Sequence, residues 1–315
     1  SDNVTTSFWS IAYTYNPDST IATQTVIAPD LGTTTTSYTY DDRGQLATAT
    51  ASGGNPGTDT VDRVDGNGNI LAASCDGEQA TFTLTEATNQ LQDYSINEAP
   101  AVAPVYDHNG FITQNGDLGI SYDPALLRPS NVDIAGEVPS QAMFAYGSSS
   151  NRTLKQLSGN REYLRTYYGG ASTSPMAIWQ DGRWMSLVYG PFGLVAYSNG
   201  NLCYPIKDAL QSVRAVTASN GEPIALLDYS AFGQLRGATG EDVNDVLFRY
   251  MGQEWDEDLG VYNFKARLYD PQLRRFLAPD SAHQYPSPYV FVGNQPISNT
   301  DPTGDSAQPS LTVVA

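Results

Sequence analysis

Few residues of this 315-residue chain have side chains suited to chemistry, and they are scattered. Cys75 and Cys203 are the only cysteines. They admit one disulfide, but two isolated buried thiols are the plainer reading. No Cys-x-x-Cys pair exists, and His108 and His283 have no ligand-like company, so neither a metal nor another cofactor is expected. Asp65-Gly66-Asn67-Gly68-Asn69 imitates the opening of an EF-hand loop, which sets oxygens at alternate positions. Its twelfth position holds Asp76 instead of a bidentate Glu, and a hairpin turn explains the same residues. Asp256-Glu257-Asp258 reads as a solvated acidic turn. Trp179, Trp184, Tyr189, Phe192 and Tyr197 could stack sugars or pack in a core, and packing is the favoured reading. Asn3-Val4-Thr5 and Asn151-Arg152-Thr153 match the glycosylation acceptor pattern at near-chance frequency.

The elements that position these residues are strands. Gly (28) and Pro (19) are dense enough to break helices, and Thr, Val, Ile and Tyr fill the intervals. A formal net charge of −18 repels phosphate backbones, so nucleic-acid binding is excluded. No apolar run is long enough to span a bilayer. No basic-then-apolar leader opens the chain, but Ser1 reads as a processed start, so this says little about secretion.

A degenerate unit recurs over the first 240 residues: an alternating strand ending in Tyr, then Asp or Asn, a turn with Gly, and a second strand. Tyr38-Thr39-Tyr40-Asp41-Asp42-Arg43-Gly44-Gln45-Leu46 and Val105-Tyr106-Asp107-His108-Asn109-Gly110-Phe111-Ile112 are clear copies. Looser ones start at Tyr13, Val64, Tyr122, Phe144 and Asp228. Anchors lie 25 residues apart from Tyr15 to Tyr40 and 24 from Tyr40 to Val64, a period typical of stacked supersecondary units. Each unit reads as a β-hairpin. The Asp accepts amides of its turn, and the Gly takes a left-handed backbone. Tyr40, Tyr106 and Tyr122 should share one buried face, with Gly44 and Gly110 in turns. Residues 53–60, 95–104 and 124–139 read as loops.

From Leu227 onward the order of motifs is specific. Leu227-Asp228-Tyr229-Ser230-Ala231-Phe232-Gly233 is followed by Phe248-Arg249-Tyr250-Met251-Gly252-Gln253-Glu254. Then come Leu259-Gly260-Val261-Tyr262-Asn263-Phe264-Lys265-Ala266-Arg267-Leu268-Tyr269-Asp270-Pro271, Arg275-Phe276, Asn294-Gln295-Pro296 and Asp301-Pro302-Thr303-Gly304. This set closely resembles the Rhs-associated core of YD-repeat proteins, a family that includes Rhs toxins, Tc toxin C subunits and teneurins. The resemblance implies an all-β fold: consecutive hairpins in a curved, spiralling sheet that forms a partial or closed shell. It divides the chain into repeat hairpins (1–202), the core module turned inward (203–304) and a tail (305–315). Alternation over 261–268 should bury Tyr262, Phe264 and Leu268, with Asn263, Lys265 and Arg267 opposite, and Phe276 should be buried too.

The family resemblance also implies function. The leading expectation is a structural shell, secreted or at the cell surface, that encapsulates or presents a polypeptide such as a toxin. Its partner would be its own or another chain's cargo, or a further YD-repeat chain. An adhesion module binding a cell-surface protein or glycan is an alternative. The enzymatic alternative is an aspartyl self-protease, whose two aspartates map onto Asp280 and Asp301. One carboxylate would activate water while the other stays protonated. Arg275 would stabilise the ionised partner or an oxyanion. A strand through Tyr289-Val290-Phe291-Val292 should return the chain and bring Asp301 near Asp280. The chain departs from the family at four places: Gln211 and Arg274 stand where Gly is common, Gln295 where Asn is, and Asp305 where Leu is.

Overall fold

The computed structural model describes residues 9–28, 32–147, 151–169, 174–191 and 193–310. Asn3 and Phe192 therefore lie outside the described residues. No α-helix occurs among them, only three short 3-10 turns. An eight-stranded sheet covers residues 10–96 and a fourteen-stranded sheet residues 105–239. In both, every strand pairs antiparallel with the next in sequence. No ladder joins the end strands of one sheet to the other among the described residues, so the sheets curve without closing through hydrogen bonds. Strand pairing runs without a break through 203 to Leu235–Thr239. A four-stranded sheet follows over residues 254–276, and Asn299–Thr300 pairs with Gln308–Pro309.

The turn that repeats is built by one carboxylate. Asp107 Oδ1 accepts the amides of Asn109 and Phe111, both at 2.9 Å, while Gly110 N–H returns to the Asp107 carbonyl at 3.1 Å. Asp41 does the same for Arg43 and Gln45, Asp65 for Asn67 and Asn69, and Asp208 for Leu210 and Ser212. The third residue after the Asp is left-handed each time: Gly44 (φ 73°), Gly68 (87°), Gly110 (86°) and Gln211 (70°). The Tyr that ends the strand before the turn clasps the preceding hairpin. Tyr40, Tyr122 and Tyr146 donate to the carbonyls of Ile21, Ile112 and Pro129, and Tyr106 accepts from the Leu91 amide. Tyr40, Tyr106 and Tyr122 are half-buried and pack against the common core.

That core joins all the sheets. Leu46, Ile112, Val132, Leu157, Val216 and Leu227 from the two large sheets meet Phe264, Tyr269, Phe276 and Phe291 of the inner module. Tyr269 stacks on Phe291 at 3.9 Å, and Phe264 and Phe276 meet Phe291 edge-on at 5.5 and 5.6 Å. Phe276 is 1% exposed, as its position predicts. A single hairpin cannot bury its apolar face, so the module supplies the surface that the curved sheets need.

Several local expectations are corrected. Residues 57–60 belong to the strand Gly57–Val64, and Pro129–Ile134 is a strand within the expected loop 124–139. Alternation fails after Asn263, where strand Val261–Asn263 ends. Lys265 turns left-handed (φ 69°), and Arg267 points into the interior beside Phe264 and Leu268, not away from them. The segment Tyr289 to Val292 makes one bridge, Val290 with Arg275, and then a 3-10 turn instead of a strand.

The turn glycines give a paired test. Gly110 and Gly221 share φ 86°, but a Cβ at Gly110 would lie 2.7 Å from the Tyr289 hydroxyl, whereas Gly221 faces open space. Gly221→Ala should cost about 1 kcal/mol from the backbone alone. Gly110→Ala should cost about 1–3 kcal/mol more through overpacking. Urea unfolding of the two variants checks this, and equal midpoints would contradict it.

Candidate functional site

Asp301 opens a tight turn. Its Oδ1 accepts the amides of Gly304 (2.7 Å), Ser306 (3.2 Å) and Thr303 (3.3 Å). Gly304 is left-handed, and a Cβ there would lie 2.4 Å from the Phe264 carbonyl. Asp280 caps its own turn, with Oδ1 accepting Ala282 N–H at 2.9 Å and Oδ2 accepting Gln284 N–H at 3.3 Å. Both carboxylates are buried. One guanidinium lies between them: Arg267 Nη1 is 3.9 Å from Asp280 Oδ1, and Nη2 is 3.4 Å from Asp301 Oδ2. Arg267 Nε also donates to the Gly304 carbonyl, and the guanidinium lies 3.7 Å over Phe276. Two buried carboxylates thus face one buried cation, with a peptide carbonyl beside them.

Arg275 is not that cation. Its Nη2 donates to the Asn89 carbonyl at 2.8 Å, and its guanidinium sits 4.8 Å over Tyr289. It lies in strand Arg275–Phe276, where side chains alternate, and its side directs it to the eight-stranded sheet. Arg267 was missed because the expected strand put it on the wrong side. Asp305 follows the turn and is half-buried. Burial lifts its carboxyl above the ordinary range; Asp301 and Asp280 push the same way, against Arg128 and Arg267.

A second constellation ties the inner module to the large sheet. Arg152, Lys155 and Arg165 project inward from strands Arg152–Ser158 and Tyr163–Tyr168. Arg152 Nη1 meets Glu254 at 3.3 Å and Asp256 at 3.1 Å. Lys155 Nζ contacts Asp256 and is 2.8 Å from Asp258, and Arg165 is 3.0 Å from Glu254. Tyr167 donates to Glu254 and Tyr163 to Asp258. The acidic run is therefore only in part the solvated turn expected: Glu257 is exposed, whereas Asp256 is 1% exposed and Asp258 is half-buried. No local pattern distinguishes it, because its partners lie about a hundred residues away in sequence. Burial alone would discharge Glu254 and Asp256. Arg152 and Arg165 outweigh it at Glu254, and Lys155 and Arg152 at Asp256, so both carboxyls are held below their usual range.

The remaining candidates have structural roles. Asp65 spends its oxygens on the hairpin turn and on Asn69 Nδ2. Cys75 and Cys203 are free thiols in different sheets, and burial pushes Cys75 up to about 12. Tyr197 is buried as core packing requires, but the packing expected of Trp184 is not seen: it is 54% exposed and lies 5.1 Å from Tyr168 on the outer face. A cavity of about 1100 Å³ opens between the first strand, the large sheet and the inner module; Tyr13, Tyr15, Tyr167, Lys207, Lys265 and Thr303 are among its walls.

Stacked hairpins curved around an inward-turned module define a β shell of the YD-repeat class. The sequence matches the Teneurin YD-shell family model over residues 5–287, and the chain belongs to that family. It is 29% identical over 204 residues to Salivary gland surface protein 1 of Aedes aegypti, covering 60% of this chain and 6% of that protein. It is 28% identical over 236 residues to the tRNA nuclease WapA of Bacillus subtilis, covering 71% of this chain and 10% of that one. The chain thus spans a tenth or less of these curated relatives. Among solved structures, a chain of the TcdB2-TccC3-Cdc42 crystal structure superposes with TM-score 0.76 at 17% identity, over 94% of this chain and 17% of that one. The Photorhabdus luminescens Tc holotoxin pore gives 0.72 at 16%, over 98% and 17%. This chain is a structural β-shell part of a YD-repeat protein.

The buried ions predict an acid-labile fold. Glu254 and Asp256 have depressed folded-state values, so their stabilisation is complete above the ordinary carboxylate range, near pH 4.5, and is lost as pH falls through the folded values. Stability of the freshly folded protein, measured against pH, should therefore drop below about pH 4.5. Asp256→Asn should cost roughly 3–5 kcal/mol at pH 7, since it leaves a buried cation undercompensated. It should also flatten the acid limb. An unchanged acid limb in that variant would refute the assignment.

Proposed function

We propose that residues 1–315 form one end of a larger shell that encloses or presents a polypeptide in an extracellular or secreted setting. The observation that carries this is the cavity of about 1100 Å³ left between the curved sheets and the inner module in a chain of this family. Residues 203–304 would serve as the inward module, residues 1–202 as wall and residues 305–315 as a tail. A structural neighbour, the TcdB2-TccC3-Cdc42 assembly, combines several polypeptides, which supports a polypeptide occupant here. A photo-cross-linker at Tyr15, which lines the cavity and is 46% exposed, tests this in the chain's native full-length context. Cross-links to polypeptide outside residues 1–315 are expected. Cross-links confined to residues 1–315 would defeat the reading.

In this reading the Asp280–Asp301 pair is retained but catalytically silent. Asp301 commits one oxygen to three turn amides and the other to Arg267, which is the pattern of a turn cap. Asp305 adds a third carboxyl to the same field, at an electrostatic cost. Intact mass should show no chain end at Gly304 or Asp305 in either the natural protein or Asp280→Asn. An end there that vanishes in Asp280→Asn would establish self-cleavage instead.

A further inference from the structure

Lys155 is among the largest fully buried side chains of the molecule. Its amine and the Asp256 carboxyl are in contact, each side chain 1% exposed. They belong to separate elements, the large-sheet strand Arg152–Ser158 and the inner strand Glu254–Asp256. Four further side chains complete the arrangement. Arg152 Nη1 donates to Asp256 Oδ2, the oxygen that Lys155 does not contact, at 3.1 Å. Asp258 Oδ2 accepts from Lys155 Nζ at 2.8 Å and is steadied by the Tyr163 hydroxyl at 2.5 Å. Phe144 and Tyr163 cover the guanidinium and the amine, at 4.3 and 5.2 Å. This is a nucleophile, an acyl group, a base and an oxyanion donor in one dry place.

We propose that Lys155 and Asp256 condense to an intramolecular isopeptide bond that fastens the shell wall to the inner module. Lys155 Nζ passes a proton to Asp256 Oδ1, with which it is in contact, and the free amine attacks Cγ of the neutral carboxyl. Arg152 holds the negative charge that develops on Oδ2. Asp258 takes a second proton from the nitrogen and hands it to Oδ1, which leaves as water with the proton it already holds. An ammonium and a carboxylate become one neutral amide and one water, so no oxidant or other co-reactant is needed. Condensation is unfavourable between free molecules in water, but groups held in contact reach effective molarities of about 10⁵–10⁸ M. The product also removes two buried charges, whose desolvation opposes the folded ion pair.

The natural protein decides the matter without any variant. After prolonged incubation in the folded state, its denatured intact mass should be lighter by one water. A tryptic digest should contain a branched peptide joining Lys155 to Asp256, with no cleavage after Lys155. Lys155→Arg should restore the full mass. Asp258→Asn should slow the loss of water by roughly a hundredfold or more if Asp258 is the base. A full-mass natural protein cleaved after Lys155 would overturn the proposal. A branch at Asp258 instead of Asp256 would overturn it equally, because the roles given to the two carboxylates would be wrong.

Discussion

The architecture depends on one constraint: a lone hairpin cannot hide its apolar face. Two polar devices let hairpins be stacked instead. A carboxylate binds two amides of its own turn, as Asp107 does for Asn109 and Phe111, which fixes the turn and hence the register of the strands it joins. A tyrosine hydroxyl then reaches a backbone group of the preceding hairpin, as Tyr40 does to Ile21. The ring packs while the hydroxyl bonds, so the same side chain covers apolar surface and sets the offset between neighbours. Repetition of this pair of contacts gives two meanders whose strands follow chain order throughout.

Charge is distributed to match. The chain carries 34 acidic and only 16 basic side chains, yet Arg152, Lys155, Arg165, Arg249, Arg267, Arg274 and Arg275 are all buried. Asp59, Asp208, Glu254, Asp256, Asp280 and Asp301 are buried with them, so the interior charge nearly cancels and the solvent face keeps nearly all of the net charge of −18, which favours solubility and repels anionic surfaces. Inside, these cations act as ties between distant segments. Arg274 donates to the carbonyls of Thr60 and Ser74, and Arg275 to that of Asn89, so both anchor the inner module to the eight-stranded sheet. Arg152, Lys155 and Arg165 anchor it to the fourteen-stranded one.

Two departures from the family pattern acquire a physical meaning. Gln211 and Arg274 replace common glycines, and both adopt left-handed backbones, with φ 70° and 56°. The conformation that favours glycine is kept, and the side chain offsets its strain. Gln211 Oε1 accepts from Lys207 at 2.6 Å. Arg274 makes the two carbonyl bonds and covers Phe232 at 4.8 Å. Asp305 is different: Arg128 and Arg267 do not outweigh the burial of the carboxyl that replaces the usual leucine, and its raised proton affinity reflects that.

The sequence by itself determined the all-β class, the hairpin turns at Gly44 and Gly110, and the burial of Tyr262, Phe264, Leu268 and Phe276. The turns depend on local chemistry, a turn carboxylate and a residue that tolerates positive φ; the alternation behind Leu268 stops at Asn263, and its burial follows from its apolar side chain instead. It also pointed to Asp280 and Asp301 through motif resemblance. Only the tertiary structure decided which cation joins them. Arg267 and Arg275 are equally plausible by type, and the choice depends on where strand Val261–Asn263 stops and the chain bends at Lys265. The acidic run 256–258 was misread for the same reason. A carboxylate's environment is set by whatever folds against it, and here those groups lie some 101 to 104 residues away along the chain. Local patterns carry secondary structure because its bonds are local; they cannot carry the pairing of charges, which is chosen by how the curved sheets pack on the inner module.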